Sequence, residues 1–568
     1  MKNKYSLIVC VLVSIVLIQF RINYTPDPNS QELKLTTWDA FGYYSYLPSI
    51  FIYDDCKQLN WIPTIDSIYN VTGGKLYQAN KVENGNYVFK YLGGVALMET
   101  PLFLTGHLIA KNTNYPADGF SAPYQYSLAY GVIIYFVLAL FLLRSILLRY
   151  FNDFSVSLSI LLLVLATNLI QYIGIDSAQS HAYIFPLYVL IIYFTIKWHE
   201  KPSILFASAI GLTIGIATIC RPTEAIMLFI PLLWNLQTKE SSKAKWKLVK
   251  ENKSHLIYVG FFGIIGVLPQ LIYWKLITGS FIYDVGSKWV FANPFFRVLF
   301  GWETGWFIYT PATIFFVLGL FFIKKFPFRK SVLVFCLLNI WIVISWFDWK
   351  YGSTYSTRAM VQSYPIFALS LAAFIQYFST KKRKYILFIP VLYFIGVNLF
   401  QLHQYNTTIL HSRDMNRLYY ASIYLNPSPT PLDMSLLDTD EILRNENDYN
   451  SITITNSQEV VKLNASQNSA AHFHSSVIKE NTDWIKITCK VRANKGYSNS
   501  YIRYKLNKKE NDIRLFNAIS TDKEWNTYSF YIKNSEVKNL NNLELSIVSL
   551  YGFEGEIKDL QIKGYTKK

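Results

Sequence analysis

The sequence predicts an α-helical polytopic membrane protein of about eleven transmembrane helices followed by a C-terminal β-sandwich, and three observations carry that prediction. Apolar runs near the length of a bilayer crossing recur between residues 5 and 401, the segments between alternate runs are basic, and after residue 450 the apolar period changes to two. Composition points the same way. With 52% apolar and only 16% charged residues in a 568-residue chain, and a mean hydropathy of +0.20, a soluble fold would expose far too much hydrocarbon.

Lys2 and Lys4 precede an apolar stretch from Tyr5 to Phe20 with no small-residue cleavage site after it, which reads as a retained signal anchor with its N-terminus in the cytoplasm. Further runs centre on 125–143, 155–173, 182–196, 203–219, 222–236, 256–276, 306–323, 331–347, 361–379 and 385–401. Placing Lys2 and Lys4 inside predicts which connecting segments should be basic. Arg144 and Arg149 satisfy the first, and Lys197 and Lys201 the second. The third holds Lys239, Lys243, Lys245, Lys247, Lys250 and Lys253. Lys324, Lys325, Arg329 and Lys330 follow, then Lys381, Lys382, Arg383 and Lys384.

This alternation requires the stretch from Tyr91 to Ala110 not to cross. Its Gly93, Gly94, Glu99, Pro101 and His107 suit a helix lying at the interface instead. Arg221 and Pro222 separate two short runs and mark the tip of a tight helical hairpin. An odd number of crossings leaves everything after Gln401 outside the cytoplasm.

The net charge of +17 follows from the same topology, because basic loops face anionic lipid, and nucleic acid is not an expected partner. The five cysteines, Cys10, Cys56, Cys220, Cys336 and Cys489, form no C-x-x-C pair and no metal-ligand spacing. Cys56 and Cys489 both fall outside, with nothing in the sequence to pair them.

The expected domains are a transmembrane unit over 1–405, a polar connector over 406–449 and a β-sandwich over 450–568. In Asp483 to Val491, Ile485, Ile487, Cys489 and Val491 alternate with Trp484, Lys486, Thr488 and Lys490, as in a half-buried strand. Tyr501–Leu506, Trp525–Ile532, Leu543–Leu550 and Glu556–Ile562 read as further strands.

The outer loops gather ionisable and aromatic groups at one membrane face, where such groups cost free energy and usually serve function. The first holds Trp38, Asp39, Tyr43, Tyr44, Asp54 and Asp55, and the second Asp176 and His181. Arg221 and Glu224 sit at the hairpin tip. Later loops bring Asp284, Lys288, Arg297 and Glu303, then Asp348, Lys350 and Arg358. Carboxylates beside basic and aromatic groups suit a reaction on a lipid-phosphate substrate. An Asp takes a proton from an acceptor hydroxyl, Arg or Lys holds the departing phosphate, and Trp or Tyr stacks on a sugar ring.

Several segments, in order, resemble the GT-C superfamily of polytopic glycosyltransferases that use polyprenyl-phosphate-linked sugars, including protein mannosyltransferases and aminoarabinose transferases. They are TTWDAFGYYSYLPSIF, YLGGVALMETPLFLTGHLIA, SAQSHAYIFPLYVL, GLTIGIATICRPTEAIMLFIPLLW, ETGWFIYTPATIFFVLGL and YGSTYSTRAMVQSYPIFALSL. The resemblance implies transfer of a sugar to a hydroxyl of an extracytoplasmic lipid, glycan or protein acceptor, with Asp39 of WDAFGYY as catalytic base. An interfacial helix cap is the structural alternative for Asp39. Asp54 and Asp55 are the alternative acid or metal-binding pair, and no metal or other cofactor is expected.

Arg221 and Arg358 stand as donor-phosphate contacts, since guanidinium binds phosphate oxygens in bidentate fashion, with an interfacial anchor as the alternative for each. Lys350, His181 and Asp176 are further substrate-binding candidates, with Trp38, Tyr43 and Tyr44 as aromatic ones. EWNTYSFYI and GEIKDLQIKGY look like the closing strands of galactose-binding-like jelly rolls, the fold of many carbohydrate-binding modules; a cap or partner-docking role is the alternative. The large outer loop that shapes the acceptor site in some relatives is short here. A transporter or flippase of lipid-linked glycan, or a non-catalytic assembly protein of the envelope, is the competing reading. A transporter often shows internal repeats and polar residues near mid-membrane, whereas this chain shows no repeat and keeps its ionisable groups at one face.

Overall fold

The computed structural model describes residues 3–26, 33–379, 384–516, 523–535 and 541–568. Lys2, Lys381, Lys382 and Arg383, expected in cytoplasmic segments, lie outside the described residues. The chain divides into two compact units, 1–399 and 400–568.

The first unit is helical. Each apolar run carries helix, and among the described residues five helices are long and apolar enough to cross a bilayer: Lys4–Asn23, Ala122–Leu147, Ser180–Glu200, Ser254–Thr278 and Arg358–Ser379. The other runs are shorter or broken. The run expected at 155–173 is a helix over Asp153–Leu165 and a second over Leu169–Gly174. Asn398 repairs the break, its Nδ2 donating to the carbonyls of Leu165 and Thr167 at 2.9 Å each. Non-helical backbone at membrane depth persists only where protein groups satisfy it in this way. The run at 306–323 is likewise divided, into Trp306–Tyr309, Pro311–Thr313 and Ile314–Gly319.

The expected hairpin tip is where Arg221 leaves the helix Ile204–Cys220 in an extended conformation (φ −152°, ψ 126°) and a 3-10 helix, Pro222–Leu228, begins. Proline starts that segment because it lacks the N–H that a first-turn position would leave unpaired.

Small residues set one helix contact that the charge pattern does not reveal. Gly211 and Gly215 of Ile204–Cys220 pack on Ser254–Thr278 so closely that a Cβ at Gly211 would stand 2.1 Å from the Val259 carbonyl oxygen, and one at Gly215 2.4 Å from that of Gly263. Glycines four apart let membrane helices approach at backbone distance. Much of the remaining surface of Ser254–Thr278 is apolar and exposed, with Ile257, Phe261, Ile264 and Leu276 all more than half accessible, as lipid-facing positions are.

Lys245, expected in a basic loop at the lipid surface, instead turns inward and is buried. Its Nζ donates to the carbonyls of Pro231 and Trp234 at 2.8 Å each, and to that of Leu232, satisfying the C-terminal end of the helix Phe229–Leu233.

A cap of short elements covers one end of the helices around an aromatic cluster of Phe41, Tyr44, Trp61, Tyr69, Phe103 and Phe120. It includes the helix Asp39–Tyr44 and an antiparallel hairpin of β1 (Ala79–Lys81) and β2 (Tyr87–Phe89). The hairpin turn is tethered by Asn84 and Asn86, whose side-chain amides donate to the Ile277 carbonyl at 2.8 and 2.9 Å, occupying an acceptor that helix geometry leaves open. The stretch from Tyr91 onward forms a helix over Gly94–Lys111, with Glu99 fully buried.

The second unit is β-rich. Its strands are β3 (Tyr449–Ser457), β4 (Val461–Ala465), β5 (Ser469–Ile478), β6 (Trp484–Lys495), β7 (Ser500–Leu506), β8 (Lys509–Arg514), β9 (Asn526–Lys533), β10 (Asn541–Ser549) and β11 (Phe553–Lys567). Two antiparallel sheets form, one ordered β5-β10-β7-β8 and the other β3-β11-β6-β9, with β4 also pairing β11. Ile485, Ile487, Cys489 and Val491 point into the shared core with Ile502, Phe530, Leu545 and Ile562. The alternation read in the sequence is thus the inward face of β6. All five cysteines are free.

Candidate active site

The site is built around Asp39, the first residue of the helix Asp39–Tyr44. Trp38 before it has φ +54° and ψ −125°, a conformation that L-residues rarely adopt. Trp38 is held there by its N–H donating to Val71 O and by Gln78 Nε2 donating to its carbonyl at 3.1 Å. Strain of this kind persists where the surroundings over-determine it, commonly at functional sites.

Three donors converge on the Asp39 carboxylate. Tyr91 and Tyr77 donate to Oδ1 at 2.6 and 2.9 Å, and Arg358 Nη2 donates to Oδ2 at 2.8 Å. The β1–β2 hairpin explains the pair of tyrosines, since one precedes β1 and the other follows β2, and Lys90 N bonded to Gln78 O closes the hairpin's base. Gly42 permits Tyr91 its position: a Cβ there would stand 2.1 Å from the Tyr91 ring. Arg358 begins the 3-10 turn Arg358–Ser363 after an irregular stretch in which Tyr351, Gly352 and Ser356 all have positive φ. Burial alone would raise the Asp39 carboxyl, but the Arg358 charge and the three hydrogen bonds outweigh it and hold Asp39 below the usual carboxylate range.

These residues line a cavity of about 520 Å3. Arg221, Lys90 and Lys288 join Arg358 on its wall, so four basic groups face two carboxylates, Asp39 and Asp348. Tyr43 sits edge-on to Tyr91, with ring centroids 4.7 Å apart. Trp289, Trp346, Phe347 and Tyr351 supply an aromatic side. Backbone pairing between the two loops holds that side together, Val290 N donating to Ser345 O at 2.7 Å and Phe347 N to Lys288 O at 3.2 Å.

Of the residues singled out in the sequence, Asp39, Tyr43, His181, Arg221, Lys288, Asp348 and Arg358 meet in this cavity. The others lie elsewhere. Tyr44 is fully buried in the aromatic cluster and donates to the Gly119 carbonyl. The Trp38 ring is 58% exposed and packs over Gly73. Lys350 lies with its Nζ 5.5 Å from the Trp349 ring centre, and Asp176 accepts from Gln171 Nε2 at 3.2 Å. Asp54 is exposed. Asp55 organises its own loop, accepting from the backbone N–H groups of Lys57, Gln58 and Asn60 at 3.1, 2.7 and 2.8 Å. Neither carboxylate of that pair reaches the cavity wall.

Sequence reasoning missed Tyr77, Tyr91, Lys90 and Gln362. Tyr91 opens one of the segments that carried the family resemblance, the only signal available for it.

No family model matches the chain, and no curated protein matches it. Among solved structures it is similar to the oligosaccharyltransferase AglB from Archaeoglobus fulgidus, in complex with an inhibitory peptide and a dolichol-phosphate. That match has 13% identity and a TM-score of 0.41, covering 74% of this chain and 57% of the other. The apo form of the oligosaccharyltransferase from the same organism gives 14% identity and a TM-score of 0.40, covering 75% and 59%. ArnT from Cupriavidus metallidurans in the apo state gives 10% identity and a TM-score of 0.41, covering 73% and 68%. The chain spans less than two thirds of the length of the oligosaccharyltransferase.

Proposed function

We propose that the chain is a multi-pass glycosyltransferase of the plasma or inner membrane that moves a sugar from a polyprenyl-phosphate donor to a hydroxyl of an extracytoplasmic acceptor. The carrying observation is the Asp39 carboxylate, held by Arg358 and two tyrosines in a cavity lined by basic and aromatic side chains. In this reading eleven crossings put the N-terminus in the cytoplasm and the β-sandwich outside.

The donor phosphate binds Arg358 and Arg221, with Lys90 and Lys288 adding charge, and the sugar ring lies against the aromatic wall. The acceptor oxygen attacks C1 from the face opposite the phosphate. The C1–O bond to phosphate breaks, its electron pair leaves with the polyprenyl phosphate, and Asp39 takes the hydroxyl proton, giving inversion. A carboxylate this weakly basic takes the proton late, when the new C1–O bond has made the hydroxyl acidic. Phosphate competing for Arg358 also loosens its hold on Asp39 and restores basicity at the moment of need.

The test is transfer by purified protein in lipid from a panel of radiolabelled polyprenyl-phosphate sugars to crude envelope acceptor. Label reaching acceptor with one donor identifies enzyme and donor together. Binding of donor without transfer would instead favour a carrier or a non-catalytic assembly protein.

A further inference from the structure

Behind the cavity lies a chain of buried polar groups that the proton transfer above does not use. Glu224 is 2% exposed, in a region with little water to solvate it. Tyr188 donates to its Oε2, while Thr223 and the Gln362 side-chain amide donate to its Oε1 at 3.3 and 3.2 Å. The Glu224 Oε1 accepts from the Gln362 side-chain amide, and that bond fixes the direction of Gln362: NH2 toward Glu224, Oε1 toward His181. That oxygen lies 2.7 Å from His181 Nδ1 and needs a donor, so Nδ1 carries the proton. Arg221 Nη1 lies 3.4 Å from the same Nδ1, at the margin of contact.

With Nδ1 protonated, Nε2 of the neutral ring bears a lone pair, and His181 lines the cavity beside Arg221 and Asp39. We propose that Glu224 and Gln362 are positioning residues that lock His181 as the Nδ1–H tautomer, so that Nε2 accepts a hydrogen bond from a hydroxyl of the transferred sugar. In a wall rich in cationic donors, a neutral acceptor recognises hydroxyl groups and repels phosphate oxygens. His181 thereby separates the sugar end of the donor from its phosphate end. The naming of a sugar as ligand rests on the proposed function; the tautomer assignment does not.

Two measurements on the full-length protein in lipid keep these apart. The first is carbethoxylation by diethyl pyrocarbonate, read by mass spectrometry, since the reagent attacks only an imidazole nitrogen with a lone pair. His181 should be modified at neutral pH in the wild type. Glu224→Gln and Gln362→Leu should slow that modification about fivefold, the consequence of removing one hydrogen bond that biases the tautomer, and should shift its pH profile. An unreactive His181, or equal rates and profiles in all three proteins, would overturn the relay.

The second compares His181→Asn, which keeps a donor near Nδ1, with His181→Gln, which returns an acceptor near Nε2. Sugar transfer should fall in His181→Asn and recover in part in His181→Gln, while competition by sugar-free polyprenyl phosphate stays unchanged in both. Equal transfer by His181→Asn and wild type would overturn the sugar contact. Normal labelling behaviour with no transfer by the wild type would uphold the relay and reject the glycosyltransferase reading.

Discussion

Arg358 Nη2 stands 2.8 Å from Asp39 Oδ2 although the two residues are 319 positions apart, and this one ion pair ties the segment after the first helix to the one entering the helix Tyr364–Ser379. Both side chains are mostly enclosed, Arg358 12% and Asp39 27% exposed, so water screens the pair less than it would at a surface. The carboxylate is thereby anchored and muted at once.

The pH dependence of transfer follows from that pairing. Asp39 is held below the ordinary carboxylate range, so the base form is complete at neutral pH and transfer should fall only at strongly acidic pH. Arg358→Gln removes the charge that lowers Asp39. The acid limb of kcat/KM should move upward in pH, with KM for the donor raised as well. An acid limb at the wild-type position would show that Asp39 does not govern it.

Gly42→Ala forces a Cβ toward the Tyr91 ring, and relief must come from the ring whose hydroxyl orients Asp39. We expect a loss of about 1–3 kcal/mol of stability from overpacking, seen as a lower melting temperature, together with reduced transfer. Tyr91→Phe keeps the packing and removes one hydrogen bond, so it should lower transfer with little change in melting.

How much of this was legible in the sequence depends on whether the signal was local. Asp39 drew attention through the family resemblance, by its place after the first apolar run, and Ile485, Ile487, Cys489 and Val491 by their period of two, a local pattern that sheet geometry enforces. Tyr77 and Tyr91 had no such signal, because only the β1–β2 hairpin brings them to the same carboxylate. Asp54 and Asp55 drew attention as adjacent acids, yet the loop backbone consumes Asp55. Apolar runs located helices but not their breaks, since the Asn398 amide that mends one break lies more than two hundred positions away.

The Gly211–Gly215 contact is a packing prediction independent of chemistry. Gly215→Leu should separate Ile204–Cys220 from Ser254–Thr278, because the added side chain meets the Gly263 carbonyl and neither backbone can yield cheaply. A pair of cysteines placed across that contact should crosslink in the wild-type background and lose efficiency in Gly215→Leu.

Glu446 gives the sandwich an acid-sensitive joint. Burial would raise its carboxyl, but Lys486, Tyr531 and Tyr565 all donate to it and bring it down to about 2. Its stabilisation is therefore present above the unfolded carboxyl value of 4.5 and is lost as pH falls toward 2. Proteolysis of the C-terminal unit in the full-length protein should accelerate across that window, and Glu446→Gln should flatten the dependence.

The most direct test of the central claim is the rate of transfer by Asp39→Asn beside the wild type, with binding of polyprenyl phosphate measured on the same preparations. Loss of a general base predicts a fall of roughly 10²–10⁴-fold in transfer, with polyprenyl phosphate still bound. Transfer at the wild-type rate by Asp39→Asn would contradict the account.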